Sequence, residues 1–315
     1  MGERPIAAEA RNLVKEFDGK RAVDGVSLTV PEGSITGILG PNGAGKTTCL
    51  RIMLGIIDPS SGSRSLLGHD RPIEIAHRVG YLPEERGLYP AMPAVEALAF
   101  MGALRGLSLK ESRRRALALL KSRGHEDWAK RPIRTLSKGM AQTVQLLGTI
   151  IHEPRLIVLD EPFAGLDAIN QQKLEQLIRD QSAAGVTVIF STHVIAHAER
   201  LCERVVIIAE GKSVFEGEVD EARGRLRPIV HLRTRSSDGP WRSALPGTAT
   251  LIGGEWRFEL PPSGPEPLLK ALIEGEAGIE TLSIERPGLH DAFIAIAGEA
   301  AAREMGHVPA QDEAA

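Results

Sequence analysis

Short apolar runs separated by helical patterns set the plan of the first two-thirds of the chain. Ser34–Leu39, Arg155–Leu159 and Thr187–Ser191 carry little polar alternation, as expected of strands buried on both faces in a parallel sheet. Ala22–Val30 instead alternates apolar and polar residues, which predicts a half-buried strand, and Pro31-Glu32-Gly33 then makes a turn. Apolar positions at helical spacing predict helices over Thr48–Leu54, over 94–128, from Leu136 to His152, and beyond Asp167 through Leu174, Leu177 and Ile178. Loop signals lie at Pro59–Gly62 and Gly68–Asp70, a short strand at Arg78–Leu82 runs into a Pro-rich loop, and 204–217 reads as a hairpin.

The pattern changes at 218–228, a charged stretch ending in Arg227-Pro228 that reads as a linker. Strand-like runs follow at 229–234, 249–252, 256–260 and 279–284, with helices near 267–274 and 289–297. The expectation is a large domain over 6–217, with a helical subdomain at about 90–152, and a small α+β accessory domain over 229–298. Residues 299–315, rich in Ala and Glu, predict a disordered tail. No internal repeat is visible.

Composition narrows this picture. Hydrophobic residues make up 42 % of the 315 positions, enough for a sizeable core, and the formal net charge of −3 argues against a nucleic-acid partner. Cys49 and Cys202 stand in apolar contexts without disulfide or metal spacing, which suits a reducing cytoplasm. No apolar run reaches membrane-spanning length, and Met1-Gly2-Glu3-Arg4-Pro5 lacks the apolar core of a signal peptide. Ile6 stands where a myristoylation motif needs Ser or Thr. Work at a membrane would therefore need another chain as anchor. The basic cluster Lys110–Arg115 reads first as a solvated helix face, and second as a contact for headgroups or a partner.

The candidate chemistry begins at Gly40-Pro41-Asn42-Gly43-Ala44-Gly45-Lys46-Thr47-Thr48, glycine, four residues, then Gly-Lys-Thr, between a predicted strand and a predicted helix. Glycines let backbone N–H groups turn inward, and a nest of such donors before a helix N-terminus holds phosphate oxygens. Lys46 is placed to reach the β- and γ-phosphates, and Thr47 to bind Mg²⁺. The chain is thus expected to bind a nucleoside triphosphate. Leu156–Leu159 ends in Asp160-Glu161-Pro162, and a parallel strand delivers such residues into the ligand crevice. Asp160 suits Mg²⁺, usually through water, and Glu161 suits polarising an attacking water. Thr187–His193 reads as a further buried strand ending in the polar triplet Ser191-Thr192-His193, and His193 is read as a further site residue. Ser137 and Gly139 open a helix whose N-terminus offers donors to an anion. Phe17 is either ordinary core or a platform for a base.

Together these motifs resemble the ATP-binding-cassette (ABC) ATPase family over about residues 6–217. Gly40–Thr48 is similar to its Walker A loop, Leu156–Glu161 to its Walker B strand with catalytic glutamate, and Leu136–Met140 to its signature motif. Gly165-Leu166-Asp167 resembles the D-loop, His193 the switch histidine, and Phe17 the adenine-stacking aromatic. Two positions depart from the pattern. Glu84 stands at the Q-loop glutamine, and Lys138 and Met140 replace the first glycine and the glutamine of the signature. Tyr81–Pro90 and Glu285–Phe293 resemble the ABC-2-type exporter branch, related to sodium-extrusion and drug-export subunits.

The resemblance implies a P-loop α/β fold: a parallel-sheet core, an N-terminal antiparallel part and a helical signature subdomain. It implies ATP and Mg²⁺ as ligands, with Lys46, Glu161 and His193 catalytic and Thr47, Glu84 and Asp160 facing the metal. Ser137 and Gly139 would meet ATP held by a second copy, making a homodimer, and Asp167 would be a further nucleotide-binding residue. Integral-membrane permease subunits would be its partners at the cytoplasmic face of the cell membrane. A soluble regulator built on the same cassette is the alternative. The cargo is not written in these residues.

Overall fold

The computed structural model describes residues 4–85, 87–236 and 238–298. It forms two compact units, one of the chain up to Val219 together with residues 296–298, the other Asp220–Ala295. The expected disordered tail, 299–315, lies outside the described residues.

In the first unit, β1 (Ile6–Phe17) pairs antiparallel with β2 (Lys20–Pro31) and β4 (Ser61–Leu66) in a three-stranded sheet. The second sheet runs β5 (Val79–Leu82), β6 (Leu156–Leu159), β7 (Thr187–Thr192), β3 (Ile35–Leu39), β8 (Arg204–Ala209) and β9 (Lys212–Glu218). Its first five strands are parallel and β9 is antiparallel. Strands β3, β6 and β7 are buried at every residue, their apolar cores fitting a sheet covered on both faces and the polar ends of β7 buried with them. Helix α1 (Lys46–Met53) shares one core with both sheets: Cys49, Leu50, Ile52 and Met53 join Leu13, Val26 and Leu28 from the antiparallel side and Ile38, Val158 and Ile189 from the parallel side. Burial pushes the Cys49 thiol up to about 12, so it is an inert small apolar residue.

The helical expectation over 94–128 resolves into α2 (Ala94–Leu104) and α3 (Leu109–Ser122), followed by a single 3₁₀ turn, Glu126–Trp128. The chain breaks at Gly106, whose φ of 94° stops a helix, and Ser108 restarts one by accepting the Glu111 N–H at 3.2 Å. Arg114 and Arg115 of the basic cluster hold Glu111, and Arg113 holds Glu96, on exposed or half-buried surface. Helix α4 (Lys138–Ile150) starts on Ser137 as its cap, and α5 (Ala168–Ala183) on Asp167. Helix α6 (Ile195–Leu201), between β7 and β8, has no counterpart in the sequence reading. The loop signal at Pro59–Gly62 runs into β4, whose polar residues form a strand because β1 offers an open edge.

His152, just beyond α4, is buried and its Nε2 lies 3.2 Å from the Val79 carbonyl. Burial, then the Arg105 charge, lowers its pKa to about 4. Because the folded value lies below the unfolded one, the neutral ring favours folding fully above about pH 6.5 and progressively less down to about pH 4. Thermal unfolding at pH 7 and pH 5 should show about 2 kcal/mol lost from this group. His152→Met should remove that part of the slope, and an unchanged slope would overturn the assignment.

The second unit is an α+β fold in which α7 (Val219–Arg223) occupies part of the stretch read as a linker. Strands β11 (Thr250–Ile252), β12 (Glu255–Glu259), β10 (Ile229–Thr234) and β13 (Ile279–Glu285) form an antiparallel sheet in that order. Val230, Leu232, Trp256 and Phe258 of this sheet pack with Trp241 and with Leu268 and Leu272 of α8 (Pro265–Glu274). Helix α9 (Leu289–Ala297) follows β13.

Candidate functional site

The loop Gly40–Gly45 joins β3 to α1 in the tightly packed space its glycines require. A Cβ on Gly40 would lie 2.2 Å from the Ile208 carbonyl oxygen. One on Gly45, where φ is 101°, would lie 2.4 Å from the Ala22 oxygen. Lys46 is buried, and its ammonium donates to the carbonyls of Gly40 at 2.7 Å and Pro41 at 3.0 Å. Asn42, Gly43, Thr47, Thr48, Glu84 and Glu161 line a cavity of about 330 Å³ over the loop.

The register of two neighbouring parallel strands builds the rest. Leu159 pairs with Phe190, so Asp160, directly past β6, comes beside Ser191 of β7. The Ser191 hydroxyl donates to Asp160 Oδ1 at 2.6 Å and accepts the Glu161 N–H at 2.9 Å. Thr47 Oγ1 donates to the same Oδ1 at 3.0 Å. Asp160 is 1 % exposed, and its Oδ2 has no hydrogen-bond partner. Burial raises the Asp160 pKa against the donations of Ser191 and Thr47, the signature of a carboxylate short of positive charge. Magnesium fits this set: hard oxygen donors, one buried and unpartnered, beside a hydroxyl. Among the described residues no cluster of three or more His, Cys, Asp or Glu could hold a metal. A cation here would therefore also lean on phosphate oxygens.

Glu161 adopts φ 46°, a left-handed conformation that costs a non-glycine residue on the order of 1–2 kcal/mol. Its N–H bond to Ser191 supports that backbone. Its Oε1 lies 3.2 Å from the Lys46 ammonium and its Oε2 lies 2.9 Å from His193 Nδ1. A carboxylate oxygen accepts here, so Nδ1 carries the proton of this bond. The next turn is anchored behind: Phe163 stacks on His197 at 3.9 Å between ring centres, and His197 bonds Glu175, which Arg200 also holds. The structure thus joins Lys46, Thr47, Asp160, Glu161 and His193 in one network and brings Glu84 to the same cavity.

The remaining predicted residues stand elsewhere. Phe17 closes β1 with 47 % exposure, the Lys15 ammonium 5.2 Å from its ring centre, and does not line the loop cavity. Ser137 caps α4, accepting the Met140 N–H at 3.2 Å, and Gly139 lies against Asn170. Asp167 caps α5, and the Asn170 N–H, at 2.9 Å, is the main cause of its lowered pKa. Lys138 lies over Gly165, whose ideal Cβ would be 2.6 Å from its ammonium, and it shares a second cavity of about 400 Å³ with Glu84, Asp160 and Glu161.

Ser191 was not singled out by sequence reasoning. Its signal was its place in the polar triplet that ends β7. Ser191→Ala leaves the Glu161 N–H without an acceptor and removes a donor from Asp160, an expected cost of about 1–3 kcal/mol. The melting temperature should fall by roughly 2–4 °C per kcal/mol. A variant as stable as the parent would mean that water replaces the hydroxyl.

The family model described as "ABC transporter" matches residues 23–164. The chain is 33 % identical over 293 residues to the uncharacterized ABC transporter ATP-binding protein YhaQ of Bacillus subtilis, covering 90 % of this chain and 96 % of that one. It is 30 % identical to the daunorubicin/doxorubicin resistance ATP-binding protein DrrA of Streptomyces peucetius, covering 99 % of both. The dimeric post-hydrolysis structure of the ATP-binding cassette MJ0796, bound to ADP and Pi, superposes with a TM-score of 0.61 at 26 % identity, over 67 % of this chain and 98 % of that one. The chain belongs to the ABC transporter family, as one of its ATP-binding subunits.

Proposed function

We propose that the chain hydrolyses ATP to drive an exporter through separate membrane subunits. The observation that carries this reading is the unbroken contact path from Thr47 through Asp160 and Ser191 to Glu161, Lys46 and His193. Phosphates enter the nest of Gly40–Thr48, and Lys46 turns from the Gly40 and Pro41 carbonyls to the β- and γ-oxygens. Thr47, Asp160 and Glu84 hold Mg²⁺, which when bound offsets the charge of the phosphate oxygens. Glu161 takes a proton from the attacking water, and His193 keeps its carboxylate aimed. Phe17, exposed at the end of β1, stacks on the adenine.

Ser137, Gly139 and Asp167 do not line the cavity over the loop of their own chain. In this reading they complete the site of a second copy, so that ATP joins two chains and hydrolysis releases them. The dimeric assembly of MJ0796 supports this, and the drug-resistance role in DrrA's name supports export. Among the described residues no helix is long and apolar enough to cross a membrane, so the pore is assigned to permease subunits that hold this chain at the cytoplasmic face. Residues 6–217 act as the nucleotide-binding domain and 229–298 as an accessory domain.

Gentle detergent extraction of native membranes, pulling on a tagged chain, tests the assignment. A stoichiometric partner with several apolar helices is expected. Recovery of the chain alone, as a soluble ATP-dependent dimer, would favour a regulator. A second test concerns Glu84: Glu84→Gln should leave ATP affinity within a few-fold and shift the Mg²⁺ dependence of turnover. Parental behaviour throughout would reduce Glu84 to a loop carboxylate.

A further inference from the structure

Between α4, α5 and the chain that leaves α3 lies a cavity of about 290 Å³ that nucleotide chemistry does not use. Its lining includes the buried side chains of Leu82, Leu146, Leu147, Pro162, Leu174 and Leu177. The cavity opens to solvent past Arg123, Lys173 and Gln176, while its floor is formed by these buried apolar side chains. Polar ties fix its walls. Gln142 of α4 donates to the Pro162 carbonyl at 2.6 Å, and Arg123, past α3, pairs with Asp180 of α5 at 3.0 Å.

Charge at the lining is one-sided. Arg123, His125 and Lys173 contribute, and no Asp or Glu does. Arg123 is neutralised by Asp180, which also accepts from Gln176 at 2.8 Å. His125 is stacked on Trp128 with ring centres 3.7 Å apart, and burial, then the Lys173 charge, lowers its pKa toward the neutral form. Lys173 has no ion-pair or hydrogen-bond partner among the described residues and acts only through space, on His125 and Asp167. An apolar hollow with one uncommitted cation at its edge complements a molecule with an apolar body and an anionic head.

We propose that this cavity binds a small amphiphilic carboxylate, its chain against Leu146, Leu147, Leu174 and Leu177 and its head on Lys173. The volume lies at the lower end of small-molecule sites, about 300–1000 Å³, so the body is one short chain rather than a two-chain lipid. The site lies apart from the loop of Gly40–Thr48, and its occupancy does not depend on the ATPase reading.

Isothermal titration of the full chain with decanoate, without nucleotide and below the micelle-forming concentration, is the test. One saturable site per chain is expected, with decanol at least about tenfold weaker, because a charge-assisted contact is lost. Lys173→Met keeps the stem and removes the charge; it should weaken decanoate about tenfold and leave decanol unchanged. Thr143→Phe, which fills the cavity from α4, should abolish binding of both. Non-saturable uptake, decanol binding as tightly as decanoate, or full decanoate affinity in Lys173→Met would each overturn the proposal. The decanol comparison and Lys173→Met decide the matter even if Thr143→Phe does not fold.

Discussion

Glu161→Gln is expected to lower ATP turnover by about 10²–10⁴-fold while ATP affinity stays within a few-fold of the parent. Gln keeps the length of the side chain and can still accept from His193 Nδ1, so the bond now at 2.9 Å survives. It keeps the backbone N–H that Ser191 accepts, and with it the support for the left-handed turn. What it loses is the capacity to take a proton. Binding and chemistry therefore separate in one substitution. Steady-state phosphate release measures the first loss, and light scattering with ATP should show a dimer that persists because its bridging nucleotide is not consumed. Turnover within tenfold of the parent would place the general base elsewhere. Loss of turnover without any dimer would leave Glu161 catalytic and remove the reading in which ATP joins two copies.

The site was legible where its chemistry is written in contiguous residues. Gly40–Thr48 and Asp160-Glu161 each carry their function in a short string, because a phosphate nest and a strand-end carboxylate pair are local objects. Ser191 was not legible. Its role exists only because β7 lies beside β6 in register, which brings together residues 31 positions apart, and no periodicity encodes strand order. The same reason hid β4, where Ser61-Gly62-Ser63-Arg64-Ser65 has no apolar alternation and becomes a strand only on the edge of β1. Gly106 was different. The signal for a helix break stood in the sequence, but the apolar spacing on either side outweighed it. Seven-residue α6 and five-residue α7 are too short for a periodic pattern to declare itself.

Lys46→Ala is expected to weaken ATP binding by about 100-fold or more, since two charge-assisted contacts to phosphate are lost. It should also disturb the nucleotide-free protein. The Lys46 ammonium now satisfies the Gly40 and Pro41 carbonyls and sits 3.2 Å from Glu161, itself only 8 % exposed. Removing one partner of a buried ion pair leaves the other uncompensated, a cost of about 3–5 kcal/mol unless the carboxyl takes up a proton. The melting temperature without nucleotide should therefore fall. The double variant Lys46→Ala/Glu161→Gln tells the two effects apart. Neutralising residue 161 should restore most of the lost stability and none of the lost affinity, because the first effect is electrostatic within the protein and the second is a missing hand on the phosphates. If the double variant recovered ATP binding, the loss in Lys46→Ala would be a consequence of misfolding around Glu161, and Lys46 would have no direct role at the nucleotide. Nucleotide titration and thermal unfolding of the three proteins decide between these outcomes.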